Sequence, residues 1–227
     1  MNLIKKIIKK INFSYLRYIK RDPFLLEVER WFKAKGDETL RLNYPLTAES
    51  IVFDIGGYHG DFAADIFDRY GCTLYIFEPV PEFYQHCLNR FKGNDKIICF
   101  NYGLASNNCW LDIGLADNAS SFDSPFAQKN KQKVELRSIT ELISGLGIKN
   151  IDLFKINIEG GEFDVIPEII KSGDIKNIKY LQIQFHNFVN LADEQRTKIR
   201  AHLGLTHSEM WNYVFVWESW KLKDDKR

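Results

Sequence analysis

The 227-residue sequence predicts an α/β protein with a mostly parallel sheet. Short apolar runs alternate with helical segments of about 10–15 residues, a pattern typical of βα units that share one sheet. A glycine-rich turn follows the first apolar run, as expected where a strand leads into a helix beside a ligand. The length fits one domain with an extension, because domains usually have about 100–200 residues.

From residue 51 onward, the predicted strands and helices alternate along the chain. The strands are expected at residues 51–53, 74–77, 97–100, 151–156, 181–185 and 213–217. The helices are expected at residues 62–70, 81–91, 139–143, 162–171 and 194–203. Gly71 and Gly173 follow two of these helices, in the position where glycine commonly ends a helix. Residues 108–136 are expected to form short strands and loops.

The composition limits the class of protein. Apolar residues make up 45% of the chain and charged residues 27%, as in ordinary globular proteins. No run reaches the roughly 20 apolar residues of a membrane-spanning helix. The first residues also lack the apolar core and cleavage site of a secretory signal. The four cysteines have no CxxC spacing, which favours a cytoplasmic protein with free thiols.

Residues 1–48 are predicted to form a helical extension ahead of a domain over residues 49–227. Residues 1–21 carry seven basic side chains and no acidic one. Their isoleucines fall on one side of a helix and their lysines on the other. Two interpretations stay open: a helix on the anionic inner face of a membrane, or a surface helix that packs on the domain. Asp22 and Pro23 then have the pattern that begins a second helix.

The end of the first predicted strand carries an acid followed by glycines. Ligands of open parallel sheets bind beyond the carboxyl ends of the strands, and glycines let the backbone approach a ligand. Asp54, Gly56 and Gly60 have the spacing D-x-G-x-x-x-G, which differs from the G-x-G-x-x-G turn that holds a dinucleotide pyrophosphate. An acid at this point suits a cationic ligand, and the spacing argues against an NAD-type oxidoreductase.

The second strand also ends in an acid. Glu78 comes 24 residues after Asp54, where a carboxylate in this architecture accepts hydrogen bonds from ribose hydroxyls. Together with Gly56 and Gly60, these two acids resemble the class I S-adenosylmethionine-dependent methyltransferases. The resemblance implies a single Rossmann-like domain with a mostly parallel seven-stranded sheet and S-adenosyl-L-methionine as cofactor. It further implies that Asn101, after the third strand, lies near the adenine.

A narrower resemblance rests on the fourth strand. Residues 155–162, Lys-Ile-Asn-Ile-Glu-Gly-Gly-Glu, are similar to the K-I-D-V-E-G-x-E signature of the FkbM family of methyltransferases. The resemblance spans about residues 50–190 and implies O-methylation of a sugar hydroxyl in a glycan or glycolipid precursor. Residues 182–187 and 215–218 resemble a subgroup associated with surface polysaccharide biosynthesis. Asn157 and Gln184 stand where the family usually has acids.

O-methylation requires a group that removes the hydroxyl proton, since alkoxides are scarce at neutral pH. His186 and Glu159 are the main candidates, because both follow strand ends and histidine has a pKa of about 6.5; His59 is a third. Asn157 is expected to orient the acceptor. Lys155 is expected to pair with Glu159 or Glu162. No metal ligands are predicted, because an amide stands where an acid would offset the charge of Mg²⁺.

Aromatic side chains are candidates for stacking on a sugar ring or for packing in the core. They are Trp110, Phe122, Phe126, Trp211, Trp217 and Trp220.

Other function classes are weighed against these motifs. A nucleic-acid methyltransferase is disfavoured because the chain has no N/D-P-P-Y/F/W site and no Pro-Cys pair. Beyond residue 21 the chain carries 24 basic and 30 acidic side chains, which also argues against a nucleic-acid partner. A non-catalytic binding protein on this scaffold stays open, because both departures replace an acid by an amide. A methyltransferase of another small molecule stays open as well.

Overall fold

The computed structural model describes residues 19–116, 119–121 and 131–224. The strands are β1 (Ile51–Ile55), β2 (Thr73–Phe77), β3 (Ile97–Phe100), β4 (Gly103–Ala105), β5 (Cys109–Ala116), β6 (Ala119–Ser121), β7 (Lys131–Ser138), β8 (Ile151–Ile156), β9 (Ile178–Ile183), β10 (His207–Tyr213) and β11 (Trp217–Leu222). The helices are α1 (Pro23–Lys33), α2 (Asp61–Tyr70), α3 (Pro81–Arg90), α4 (Ile139–Leu146), α5 (Glu162–Ser172) and α6 (Ala192–Thr206). Most of the segment 1–21 lies outside the described residues, as do Phe122 and Phe126.

The central sheet has seven strands in the order β10-β11-β9-β8-β1-β2-β3. Neighbours are parallel from β9 through β8, β1 and β2 to β3, and only β11 runs against its neighbours β9 and β10. The predicted mostly parallel, seven-stranded α/β sheet is therefore confirmed. The strand order reverses direction between β1 and β8, and such a switch point leaves a crevice at the carboxyl ends of the strands.

The prediction of a strand over residues 213–217 is wrong. Residues 214–216 form a turn between β10 and β11, and Phe215 has a φ of 59°. Phe215 and Val216 are buried in this turn, so their apolar character reflects packing rather than a strand. The predicted strand at 181–185 likewise begins earlier, at Ile178, and ends at Ile183.

Residues 103–138 contribute a second, four-stranded sheet in the order β4-β7-β5-β6. Side chains alternate across its strands, so that one face is apolar and the other polar. Ile113 and Val134 on the apolar face are buried together with Val80, just after β2. Trp110 lies on the outer face and is 62% exposed. The apolar face forms a wall above the edge of the central sheet where β2 ends.

The described part of the N-terminal extension packs on the domain. Asp22 caps α1 by accepting a hydrogen bond from the backbone N–H of Leu25, as its sequence pattern predicts. Trp31 at the end of α1 packs with Val216 and Trp217. Leu42, Tyr44 and Leu46 are buried in the core on one face of the sheet. Burial of these apolar side chains ties residues 31–46 to the fold.

Buried polar contacts strengthen this attachment. The Gln182 amide on β9 accepts a hydrogen bond from Arg41 Nε at 3.3 Å and donates to the Arg41 carbonyl and to the Tyr44 hydroxyl.

None of the helices among the described residues is long and apolar enough to span a membrane. The four cysteines are free thiols.

Candidate active site

A cavity of about 580 Å³ lies at the carboxyl ends of the parallel strands. Its walls come from the turn after β1, the loops after β2, β8 and β9, and the apolar face of the second sheet. Most of the lining side chains are apolar. The lining carboxylates are Glu78, Glu159 and Asp164, and no lysine or arginine lines the cavity within the described part of the chain.

The glycine turn after β1 is shaped by close contact with the loop after β8. Gly56 has a φ of 82°, which residues with a side chain rarely adopt. A Cβ atom at this position would also collide with the backbone carbonyl oxygen of Asn157. Gly60 has a φ of 77° where α2 begins, and a Cβ there would lie 2.7 Å from Phe91. Gly56 lines the cavity, whereas Gly60 supports the turn from behind.

Glu78 is a buried carboxylate at the cavity wall. Its Oε2 accepts a hydrogen bond from the Tyr58 backbone N–H at 2.8 Å, and its Oε1 accepts one from the Val80 N–H at 2.9 Å. Burial raises the pKa of Glu78 to about 7, against the opposing effect of these two hydrogen bonds. Each carboxylate oxygen keeps acceptor capacity for one further donor, which matches two neighbouring hydroxyl groups.

Asp54 and Lys155 form a buried ion pair below the glycine turn. The two residues are in register on the parallel strands β1 and β8, and Lys155 Nζ lies 2.7 Å from Asp54 Oδ1 and 2.8 Å from the Gly56 carbonyl oxygen. The predicted pairing of Lys155 with Glu159 or Glu162 is wrong, because the side chain points toward the neighbouring strand. Asp54 does not line the cavity, and its Oδ2 is buried without a hydrogen-bond partner.

Asn101 lies behind the cavity rather than in its wall. Its amide donates hydrogen bonds to the carbonyl oxygens of Glu78 at 3.1 Å and Pro79 at 3.2 Å. The side chain therefore holds the loop that carries Glu78.

Glu159, His186 and Glu162 form a row beyond the ends of β8 and β9, and β1 separates β8 from β2, the strand that Glu78 follows. Glu159 lines the cavity, and its Oε2 lies 3.6 Å from His186 Nε2. His186 Nδ1 lies 3.1 Å from Glu162 Oε1. The structure thus brings the two predicted base candidates together, with Glu159 in the wall and His186 behind it. Asn157 also lines the cavity, and its Oδ1 has no hydrogen-bond partner.

Burial and neighbouring charges shift the pKa values of Glu159 and His186. Burial raises the pKa of Glu159, the His186 ring opposes this shift, and the Glu162 charge adds to it. For His186, burial alone would lower the pKa, but the hydrogen bond to Glu162 and the charges of Glu162 and Glu159 outweigh it, so the net pKa is raised above 6.5. Glu159 also has a φ of 53°, and such non-glycine residues are concentrated at functional sites.

The remaining predicted candidates lie elsewhere. The His59 ring stacks on Tyr58 with centroids 3.9 Å apart and does not line the cavity. Trp211, Trp217 and Trp220 pack in or against the core. In the sequence interpretation Glu162 is only an alternative partner of Lys155, although its place at the end of the K-I-D-V-E-G-x-E pattern signals a role in the site. The sequence interpretation does not place the second sheet at the cavity, although the period-two apolar alternation of β5 and β7 is a signal for its apolar face.

The strand order, the acid-ended strands and the cavity at the switch point define a class I methyltransferase, which uses S-adenosyl-L-methionine as methyl donor. Residues 54–215 match the family model described as the methyltransferase FkbM domain. The chain therefore belongs to the FkbM family of methyltransferases. Comparison with curated protein sequences gave no match.

Solved structures are similar to this chain at low sequence identity. A putative rRNA methylase from Clostridium thermocellum is 6% identical, with a TM-score of 0.50 over 84% of this chain and 97% of that chain. An rRNA methylase from Streptococcus thermophilus is 12% identical, with a TM-score of 0.49 over 84% and 95%. Fibrillarin from Aeropyrum pernix, solved with natively bound S-adenosyl-L-methionine, is 8% identical, with a TM-score of 0.47 over 82% and 74%.

Proposed function

We propose that this methyltransferase transfers a methyl group to a hydroxyl of a sugar in a glycan or glycolipid precursor, in surface polysaccharide biosynthesis. The observation that carries the proposal is the row Glu159–His186–Glu162 beside the cavity. It provides a carboxylate at the wall and a second proton acceptor behind it. This arrangement suits removal of a proton from a weakly acidic hydroxyl.

The cofactor fits the opposite side of the cavity. Glu78 would accept hydrogen bonds from the two ribose hydroxyls, and Gly56 would leave room for the methionine portion, since a Cβ there has no space. Asp54 would support cofactor binding from beneath the glycine turn. Its Oδ2 is free to accept a hydrogen bond, and its ion-pair partner Lys155 holds the Gly56 carbonyl oxygen. When bound, the cofactor would supply a sulfonium methyl group whose carbon an oxygen nucleophile can attack in line, with the thioether sulfur as leaving group.

Asn157 and Glu159 line the part of the cavity that would hold the acceptor. Asn157 would orient an acceptor hydroxyl, since an amide both donates and accepts hydrogen bonds. Glu159 would take the hydroxyl proton as the oxygen attacks the methyl group. His186 lies behind Glu159, so its Nε2 would receive the proton in turn.

The charge of the cavity favours a glycan over a nucleic acid. Phosphodiester backbones are bound mainly through lysine and arginine, whereas the lining residues that the structure describes include three carboxylates and no basic side chain. The putative rRNA methylase from Clostridium thermocellum shares the fold with this chain, and RNA is therefore the acceptor to test against.

The test uses S-adenosylmethionine with a radiolabelled methyl group and three acceptor pools: glycolipid, polysaccharide and RNA. We expect label in the glycolipid or polysaccharide pool, as an alkali-stable methyl ether that ribonuclease does not release. The Glu159→Gln variant should incorporate label about 10²–10⁴-fold more slowly while still binding the cofactor. Ribonuclease-sensitive label in the RNA pool would contradict the proposed acceptor.

We further propose a cytoplasmic enzyme whose residues 1–21 contact the anionic inner face of the membrane. The support is the sequence of this segment, which has seven basic and no acidic side chains and an amphipathic arrangement of its isoleucines. A glycolipid acceptor would be reached from that surface.

A further inference from the structure

We infer that Glu162 is a positioning residue for the proton-transfer step: its carboxylate holds the loop that carries Glu159 and keeps His186 in the Nδ1–H form. The inference rests on the proposed function, because Glu162 would act only by positioning Glu159 and His186 for the proposed proton transfer. Glu162 is the first residue of α5 and is fully buried.

Three donors converge on the Glu162 carboxylate. Oε1 accepts the backbone N–H of Ile158 at 2.6 Å, and Oε2 accepts that of Gly160 at 2.9 Å. These two residues flank Glu159, which is thereby held at its positive φ with its side chain at the cavity. Oε1 also receives His186 Nδ1 at 3.1 Å. One carboxylate therefore fixes both members of the proposed proton path.

The contact with Glu162 also determines which ring nitrogen of His186 carries hydrogen. A carboxylate only accepts hydrogen bonds, so the hydrogen lies on Nδ1 and the Nε2 lone pair of the neutral ring faces Glu159. The hydrogen-bond partner of one ring nitrogen sets the state of the other in this way. Among the residues that the structure describes, the charged groups that face the ring are Glu162 from α5 and Glu159 from the loop after β8.

The resulting step is balanced. The acceptor oxygen forms its bond to the methyl carbon as the bond from that carbon to the sulfonium sulfur breaks. The hydroxyl proton passes to the Glu159 carboxylate and from there to Nε2 of His186. The imidazolium then lies between two carboxylates, which stabilise its charge.

The experiment measures the tautomer and pKa of His186 by NMR of protein with ¹⁵N-labelled histidine. The chain has five histidines, and His186→Gln assigns the signal. We expect the neutral ring of the wild-type enzyme to be in the Nδ1–H form. In Glu162→Gln the signal should move toward the Nε2–H form and the pKa of His186 should fall. Methyl transfer should slow by about 100-fold, within the range of general acid–base effects, while cofactor affinity stays unchanged.

Glu168→Gln is the matched control, since it makes the same change on the same helix at a side chain that pairs only with Lys171 in the ion pairs of the structure. It should alter neither the His186 signal nor the rate. An Nε2–H ring in the wild-type enzyme would overturn the role of Glu162, and this result does not depend on the folding of any Glu162 variant. Full activity of Glu159→Gln with an Nδ1–H ring would instead overturn the proposed function.

Discussion

At the scale of single residues, burial of Glu78 links cofactor binding to pH. The carboxylate is 4% exposed, and its pKa is raised to about 7 from an ordinary value of 4.5. The ionised form is the better acceptor for ribose hydroxyls, because hydrogen bonds to a charged acceptor are the stronger ones. Cofactor affinity and folding stability should therefore respond to pH in opposite directions.

We predict that affinity for S-adenosylmethionine rises between pH 6 and pH 8 in the wild-type enzyme. Glu78→Gln should remove this pH dependence and weaken binding at pH 8 by about 1.5–3 kcal/mol, the cost of a lost charge-assisted pair. Isothermal titration calorimetry measures both effects. Glu82→Gln, an exposed change in the first turn of α3, is the control. Equal isotherms for wild type and Glu78→Gln would contradict the proposal that Glu78 binds the cofactor.

The same shift predicts how stability depends on pH. Since the pKa of Glu78 is higher in the folded protein than in the unfolded chain, the folded state binds more protons between pH 4.5 and pH 7. Stability contributed by protonated Glu78 is therefore lost as the pH rises through that window. Denaturant unfolding should show a smaller decline across the window for Glu78→Gln. An identical decline in the variant would contradict the raised pKa.

Alanine substitutions at two glycines with positive φ distinguish the cost of backbone strain from the cost of a steric collision. Gly71→Ala has open space around its new Cβ, so it should cost only the left-handed conformation, about 1–2 kcal/mol. Gly56→Ala adds a collision with the Asn157 carbonyl oxygen. We expect it to lower stability further and to weaken cofactor binding, whereas Gly71→Ala leaves binding intact. Equal effects in thermal unfolding and calorimetry would show that the contact between the two loops is unimportant.

Residue motifs predicted the positions at strand ends well and the side-chain contacts poorly. Glu78, Gly56, Asn157 and Glu159 do line the cavity, because the carboxyl ends of parallel strands share one edge. The partner of Lys155 could not be read from the sequence, since it is set by the register between β1 and β8, which are 101 positions apart at the Asp54 contact.

At the scale of elements, the alternation of strands and helices predicts the five parallel strands of the central sheet. It does not predict β10 and β11, and the number of seven strands follows only from the family resemblance. The second sheet was only partly foreseen, because β5 and β7 are amphipathic strands with polar outer faces, and such a pattern also occurs in surface loops. The apolar character of residues 214–216 predicts a strand, yet Phe215 and Val216 are buried in a turn. A short apolar run indicates that its side chains are buried, but buried side chains can also lie in a turn, so the run alone does not predict a strand.

The N-terminal segment gives a prediction that separates its two interpretations. If residues 1–21 contact anionic lipid, the enzyme should co-sediment with anionic vesicles and be released by salt, since charges are screened over about 8 Å at physiological ionic strength. Deletion of residues 1–21 should abolish sedimentation and leave cofactor binding unchanged. Vesicles of neutral lipid are the control. Unfolding of the deletion variant would show instead that the isoleucines pack on the domain.

At the scale of the whole molecule, the cavity lies along one edge of the central sheet, and two parts of that edge carry separate proposed roles. The side at β1 and β2 carries the features proposed to bind the cofactor, and the side at β8 and β9 carries the proton path. Among the described residues, no three His, Cys, Asp or Glu side chains are grouped to hold a metal ion.

We predict that methyl transfer needs no divalent metal. Glu159 is the carboxylate of the β8 loop that lines the cavity beside Asn157, and an amide supplies no charge to offset dehydration of Mg²⁺. Activity should be unchanged by EDTA and by added Mg²⁺, measured with labelled cofactor. Loss of activity in EDTA with recovery in Mg²⁺ would overturn this mechanism and leave the cofactor assignment intact.

The most direct test of the account measures cofactor affinity and methyl transfer on the same preparation of wild type and Glu159→Gln. The account predicts unchanged affinity for S-adenosylmethionine, because Glu159 follows β8 and the proposed ribose ligand Glu78 follows β2, with β1 between these two strands. It predicts transfer slower by about 10²–10⁴-fold, the usual contribution of a general base. Wild-type transfer rates in Glu159→Gln would contradict the account.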